Sequence, residues 1–265
     1  MSTLTLTLRG ALHHPVDLTS VTPNAFAGRS LYEIEQLSLG ALRVCDVFAV
    51  SGTPGETVAI SGSSSYLDYA GAGLDAGTLV FEGSVGNYAA TAMKGGRLDI
   101  RGDAGAYLAS RQSGGLVTVK GAAGDFAGGT RPGDRFGMVG GIVLVDGNVG
   151  ERAGERMRRG TIITRGSFGA AAGSRMVGGT LWTEKGFGAG PGPMLRRGTL
   201  IGPAVERLLP TFSDCGVHDL NILKILNKYI AETLGALAPR PVPVLVRRYA
   251  GDLATLGKGE ILLPA

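Results

Sequence analysis

The sequence predicts an all-β fold, a parallel β-helix of roughly nineteen-residue coils, on three observations. Leading glycines at positions 77, 96, 115, 141, 160, 179 and 198 recur at steps of 19 residues, with one step of 26. Each opens a short run whose third and fifth residues are mostly apolar: Leu79 and Phe81, Leu98 and Ile100, Val117 and Val119, Val143 and Val145. That alternation marks a strand with one buried face. A glycine pair then follows, as at Gly102 and Gly105, where the chain needs a positive φ or a close backbone approach to turn a corner. Such a unit is too short for a strand plus a full crossover helix, but it suits one coil stacked about 4.8 Å from the next.

Taken in order, residues 1–55 read as N-terminal capping strands, with TLTLTL and ALRVCDVFAV separated by LYEIEQLSLG as a short helix or a further strand. Residues 56–203 hold the coils, beginning with a degenerate copy at Glu56 and carrying a seven-residue insertion near GGTRPGD, residues 128–134. Residues 204–265 form a C-terminal helix and extended tail. The helix is expected from about His218, with Leu220, Ile222, Leu223, Leu226, Tyr229, Ile230 and Leu234 at helical period and Asp214 or Asp219 near its start. It caps the far end or docks laterally. PVPVLV then supplies one more strand, followed by the basic pair Arg247 and Arg248.

Stacking places equivalent positions above one another as ladders. One is charged, Glu82, Arg101, Lys120, Asp146, Arg165 and Glu184, with signs mixed so that neighbours pair. A second is mostly apolar, Met93, Gln112, Met138, Met157, Met176 and Leu195, and a third is aromatic, Tyr88, Tyr107 and Phe126, ending at Arg152. The structural glycines of the corner are Gly86, Gly105, Gly124, Gly150, Gly169 and Gly188, and at Lys185 the preceding glycine slips by one to Gly186, which predicts a bulge.

With 45 glycines but 44% apolar residues, the chain is no disordered Gly-rich linker. A net charge of +4 is too diffuse for a nucleic-acid face. No signal-type leader and no long apolar run occur, and Cys45 and Cys215 form no disulfide pattern, so the expectation is a cytoplasmic protein without membrane partners.

The sequence offers little chemistry. No P-loop or dinucleotide fingerprint is present, and His13, His14 and His218 show no metal spacing. Cys215, near Asp214 and His218, lacks any evident pocket and reads as a packed cysteine rather than a nucleophile, so no catalytic and no metal-ligating residue is assigned. The arginines are more suggestive. Arg156 and Arg175 hold equivalent places in consecutive units, while Arg158, Arg159 and Arg196, Arg197 recur at one corner; with Arg152 they make a basic edge suited to carboxylates or phosphates, or to an interface with another protein chain.

The GxxGxxxG run, in GAAGDFAGG, GNVGERAGE and GSFGAAAGS, resembles the β-helical C-terminal domain of the glutamate synthase large subunit. The whole layout, with the insertion, the helix after His218 and the ending RRYAGDLATLGKGEIL, is similar to the C subunit of formylmethanofuran dehydrogenase, most of all its counterpart in the bacterial formyltransferase/hydrolase complex. The resemblance implies a right-handed β-helix acting as a non-catalytic scaffold with A, B and D type subunits as partners. It implies no cofactor in this chain: the methanofuran-type carrier, and any metals, would sit on partner subunits. That complex moves a formyl group from tetrahydromethanopterin to the carrier and releases formate; the acidic tail of the carrier could meet Arg152, Arg156, Arg158, Arg175, Arg196 and Arg197. The alternatives are the C subunit of a molybdenum or tungsten formylmethanofuran dehydrogenase, a stand-alone β-helix enzyme acting on carbohydrate, and a left-handed acyltransferase, whose hexapeptide period the 19-residue step does not match.

Overall fold

The computed structural model describes residues 3–265. Thirteen strands form the main sheet: β1 (Thr3–Leu8), β2 (Phe48–Gly52), β3 (Thr57–Ser61), β4 (Thr78–Phe81), β5 (Arg97–Ile100), β6 (Leu116–Val119), β7 (Val139–Val145), β8 (Arg159–Thr164), β9 (Thr180–Thr183), β10 (Arg197–Ile201), β11 (Ser213–Asp219), β12 (Leu245–Gly251) and β13 (Lys258–Pro264). Their order is β11-β12-β13-β10-β9-β8-β7-β6-β5-β4-β3-β1-β2. Four α-helices, α1 (Pro23–Phe26), α2 (Leu31–Glu35), α3 (Val44–Val47) and α4 (Asn221–Leu234), a short 3-10 helix (Gly235–Leu237) and three small sheets complete the described residues.

The expected all-β, right-handed parallel β-helix is therefore corrected. The architecture is a mixed, mostly parallel thirteen-stranded sheet with helices, in which β1–β2, β11–β12 and β12–β13 pair antiparallel. Each unit contributes one strand of four to seven residues to that sheet. The remainder of a unit is turn, joined to its neighbours by backbone hydrogen bonds such as Tyr88 N–H to the Ala106 carbonyl oxygen at 2.8 Å, by single bridges such as Ala104 to Ala123 and Ala123 to Val149, or by a three-stranded sheet of two to four residues per strand. The ends of the chain, where periodicity is lost, add the antiparallel strands and the helices.

Within the sheet the repeat fixes the register. Leu79, Leu98, Val117, Val143, Ile162, Leu181 and Leu200 lie opposite one another in turn, and all are fully buried. The methionine stripe packs behind them, with Met93, Gln112, Met138, Met157, Met176 and Leu195 all inaccessible to solvent. Its tips explain the leading glycines. A Cβ on Gly179 would meet the Met157 methyl at 2.8 Å, and φ there is +103°, which side chains rarely adopt. The corner glycines act otherwise. Gly105 lacks a positive φ, but a Cβ there would meet Asn87 Oδ1 at 2.6 Å and the Gly86 backbone at 2.7 Å.

The other ladders also stack. Arg101 pairs with Glu82, and Asp146 receives Lys120 at 2.9 Å and Arg165 at 3.1 Å. The aromatic rings of Tyr69, Tyr88, Tyr107 and Phe126 lie 4.9–5.3 Å apart, and the Arg152 guanidinium closes the column 5.2 Å over Phe126. Side-chain oxygens link the units as well: Asn87 Oδ1 accepts from Ala106 N–H at 2.9 Å, and Asp103 Oδ1 from Ala122 N–H at 2.7 Å.

The C-terminal region departs from expectation. His218 lies in strand β11, not at a helix start, because residues 213–219 find backbone partners in β12; α4 begins at Asn221 with no side-chain cap from Asp219. The helix docks laterally. Leu223, Ile230 and Leu234 cover Ile142, Leu144, Ile163, Trp182 and Ile201 on the outer face of β7–β10. In residues 31–52, LYEIE is helical and ALRVCDVFAV is split by α3.

Leu181→Ala should cost about 2–5 kcal/mol in chemical denaturation, the usual penalty for a cavity beneath a fully buried leucine. Asp252 supplies a pH test. Burial alone would raise its pKa, but hydrogen bonds from the Thr211 side chain and the Ala254 and Met194 backbone N–H groups outweigh burial and hold it below the usual carboxylate range. Its contribution is present above the unfolded value of about 3.9 and is lost as pH falls through the lower folded value. Asp252→Asn should lower the melting temperature at pH 7, and the gap to wild type should close in melts below about pH 4.

Candidate functional site: an arginine cleft at the repeat corner

Outside the unit that carries the insertion, the position four residues before the leading glycine adopts the left-handed region: Ala92 at φ +56°, Arg111 at +59°, Arg156 at +52°, Arg175 at +53° and Met194 at +58°. A side chain there costs about 1 kcal/mol. Glycine would fit without strain, as Gly73 does at φ +68° in an earlier unit, yet three units carry arginine. Strained cationic residues stacked in one column direct attention to what they face.

Arg156 and Arg175 face a cleft of about 440 Å³, which Arg135, Arg196, Phe136, Val177 and Met194 also line. The sequence-predicted edge is thus only partly assembled. Arg156, Arg175 and Arg196 come together. Arg158 stands at the margin, its guanidinium 4.2 Å over the Phe136 ring. Arg152 is turned to Phe126 and to Glu155, 2.9 Å away. Arg197 is in β10 opposite Lys258 and lies outside the cleft lining. Successive residues entering a strand point to opposite sides, so Arg196 and Arg197 cannot share one face.

The charge in the cleft is poorly balanced. Glu155 is buried and accepts from Arg152 at 2.9 Å and Arg175 at 3.4 Å. Among the described residues Arg135, Arg156, Arg158 and Arg196 form no ion pair, whereas most arginines elsewhere do, as Arg248 does with Glu260 and Arg247 with Asp214. Free guanidinium groups around a partly apolar cleft suit a ligand that brings several carboxylates or phosphates. Sequence reasoning missed Arg135 and Phe136. Their signal lies in the loop that carries the insertion, whose RPGDRF brings two arginines and an aromatic ring to a corner already marked by Arg156 and Arg175.

The cysteine region is corrected too. Cys215 is exposed rather than packed, because β11 is at the edge of the main sheet. His218 Nε2 lies 2.9 Å from the Cys215 carbonyl oxygen, and Asp214 accepts from Arg247 at 2.7 Å and from the Gly216 N–H at 2.8 Å. Among the described residues no group of three or more His, Cys, Asp or Glu side chains could hold a metal ion, and no helix is long and apolar enough to cross a membrane.

Fold and cleft together define a repeat-built, mostly parallel sheet protein whose two distinctive surfaces are a cationic cleft and an uncovered apolar stripe on α4, Ile222, Ile225 and Tyr229. No family model matches the chain. It is 48% identical, over 98% of its length and 99% of the relative's, to the C subunit of the formyltransferase/hydrolase complex Fhc from Methylorubrum extorquens. A chain in the X-ray crystal structure of that organism's formyltransferase/hydrolase complex (FhcABCD) in complex with methylofuran superposes with a TM-score of 0.93 at 40% identity, covering 98% of this chain and 99% of that one. The chain belongs to the family of C subunits of the formyltransferase/hydrolase complex.

Glu155→Gln keeps the shape of the side chain but removes the carboxylate shared by Arg152 and Arg175, so the melting temperature should fall by an amount equivalent to about 1–3 kcal/mol in calorimetry.

Proposed function

We propose that the protein is a non-catalytic scaffold subunit of a cytoplasmic complex that converts formyl-tetrahydromethanopterin to formate through a formylated, methylofuran-type intermediate. The observation that carries this is 48% identity over nearly the whole of both chains to the C subunit of such a complex. Partner subunits of the A, B and D type would hold the reacting groups and any metals. Kinship with the glutamate synthase domain, which rests on the GxxGxxxG run, and with the C subunit of formylmethanofuran dehydrogenase, which rests on the chain's length and C-terminal layout, belongs to the same reading.

Two surfaces support it. Ile222, Ile225 and Tyr229 stand 52–64% exposed along one side of α4, a stripe that a partner subunit would cover. The arginine cleft would receive the acidic tail of the one-carbon carrier, with Arg156, Arg175 and Arg196 as its charged contacts. The corner glycines keep neighbouring units close enough to stack the arginines.

Affinity purification of the tagged chain from its source should recover A, B and D type subunits together with formyl-tetrahydromethanopterin hydrolysis to formate. Molybdenum or tungsten in that material would favour the dehydrogenase alternative, and a chain active alone would overturn the scaffold reading. Ile225→Glu should reduce recovery of the partners while leaving the melting temperature of the chain unchanged, because Ile225 is 64% exposed. Arg156→Ala with Arg175→Ala should weaken carrier retention by about tenfold or more, measured as carrier bound per purified complex.

A further inference from the structure

The loop of residues 128–136, which carries the seven-residue insertion, does more than lengthen one unit. It raises a ridge between two clefts of similar size, about 440 Å³ and about 430 Å³, and Arg135 and Phe136 line both. The second cleft carries Lys94 and Arg111, but Asp134 lies in its wall and pairs with Arg131 at 2.9 Å and with Arg111 at 3.5 Å. Uncompensated positive charge therefore collects on the Arg156 side of the ridge.

Phe136 occupies a particular place there. Its ring has the Arg135 guanidinium 5.1 Å from its centroid and that of Arg158 at 4.2 Å. Arg135 arrives from the loop that carries the insertion, while Arg158 arrives from the next unit, where its N–H donates to the Met138 carbonyl oxygen at 2.9 Å. Neither arginine has a carboxylate partner among the described residues, so stacking on the ring is the interaction the structure shows holding each side chain. Both are exposed, and long cationic side chains lose rotamer freedom when a ligand fixes them. An aromatic face that holds them beforehand lowers that cost without neutralising their charge.

We infer that Phe136 is a positioning residue of the arginine cleft, holding Arg135 and Arg158 at its rim so that the site favours an extended chain of carboxylates over a single one. This rests on reading the cleft as a polycarboxylate site, and the experiment separates the two. Hexaglutamate and glutarate are titrated into the full chain by calorimetry at low and moderate salt. Wild type should bind hexaglutamate, with affinity falling as salt rises, and should bind glutarate far more weakly. Phe136→Leu, which retains every charge, should weaken hexaglutamate binding by about three- to tenfold, with a similar salt dependence, an unchanged melting temperature, and rescue in Phe136→Tyr. Arg156→Ala should weaken binding and flatten the salt dependence. Absence of hexaglutamate binding to folded wild type would defeat the polycarboxylate reading itself. Wild-type binding that falls in Arg156→Ala but stays the same in Phe136→Leu would defeat only the role of Phe136. Should Phe136→Leu fail to fold, Arg135→Gln and Arg158→Gln serve in its place: each should lower affinity, and equality with wild type in both would overturn the inference.

Discussion

Everything distinctive in this protein depends on one constraint, the fixed parallel register between consecutive units. Leu98 faces Leu79 and Val117 at the same depth, and the same holds along the sheet to Leu200 and Ile261. A slip of one residue would turn every buried side chain of a strand to the opposite face. Register is secured from several directions: the leucine, valine and isoleucine row, the methionine tips packed against the leading glycines, the stacked rings, and the Asn and Asp oxygens that accept N–H bonds from the following unit. Because these lie on different sides of the unit, a shift that satisfied one would break the others.

The same register builds the surface features. Equivalent residues are brought about 4.8 Å apart whatever their separation in sequence. Where signs alternate, as in Glu82 and Arg101 or Lys120, Asp146 and Arg165, the stack neutralises itself. At the corner with Arg156 and Arg175 the signs are alike, and among the described residues the one carboxylate paired there is the buried Glu155, which Arg175 shares with Arg152. Charge of one sign then accumulates in a cleft, and the loop that carries the seven-residue insertion adds Arg135 to it. The left-handed backbone at Arg156 and Arg175 is shared with Ala92 and Met194 and belongs to the turn of the repeat; the like charges are what set this corner apart.

The antiparallel ends have a different task. A parallel sheet leaves a row of unpaired backbone groups at each edge. Here β1 pairs with β2 at one end, and β13 with β12 and then β11 at the other, so the repeated strands meet no open edge of their own kind. Between them α4 covers the outer face only of the later strands. That boundary is written in the outward residues: Val80, Asp99 and Thr118 before it, then Leu144, Ile163, Trp182 and Ile201 beneath the helix and the segment that follows it.

By itself the sequence determined which residues pair. A period of 19 with one step of 26 identifies the partners of Leu79 through Leu200, the charged and aromatic columns, and the glycines that must lack a Cβ, because stacked units place chemically equivalent positions in contact. It was silent on how the sheet ends, since antiparallel pairing of β11 with β12 depends on segments far apart in the chain and without a repeat between them. That is why an all-β coil was expected where a mixed sheet with helices stands, and why a helix was expected at His218. The cleft divides in the same way. Arg156 and Arg175 were legible as a column, but the loss of Arg197 to the strand, the diversion of Arg152 to Phe126 and Glu155, and the arrival of Arg135 and Phe136 from the loop that carries the insertion were decided by tertiary structure alone. Side-chain direction at a corner follows from the local backbone and its neighbours, and a linear period carries neither.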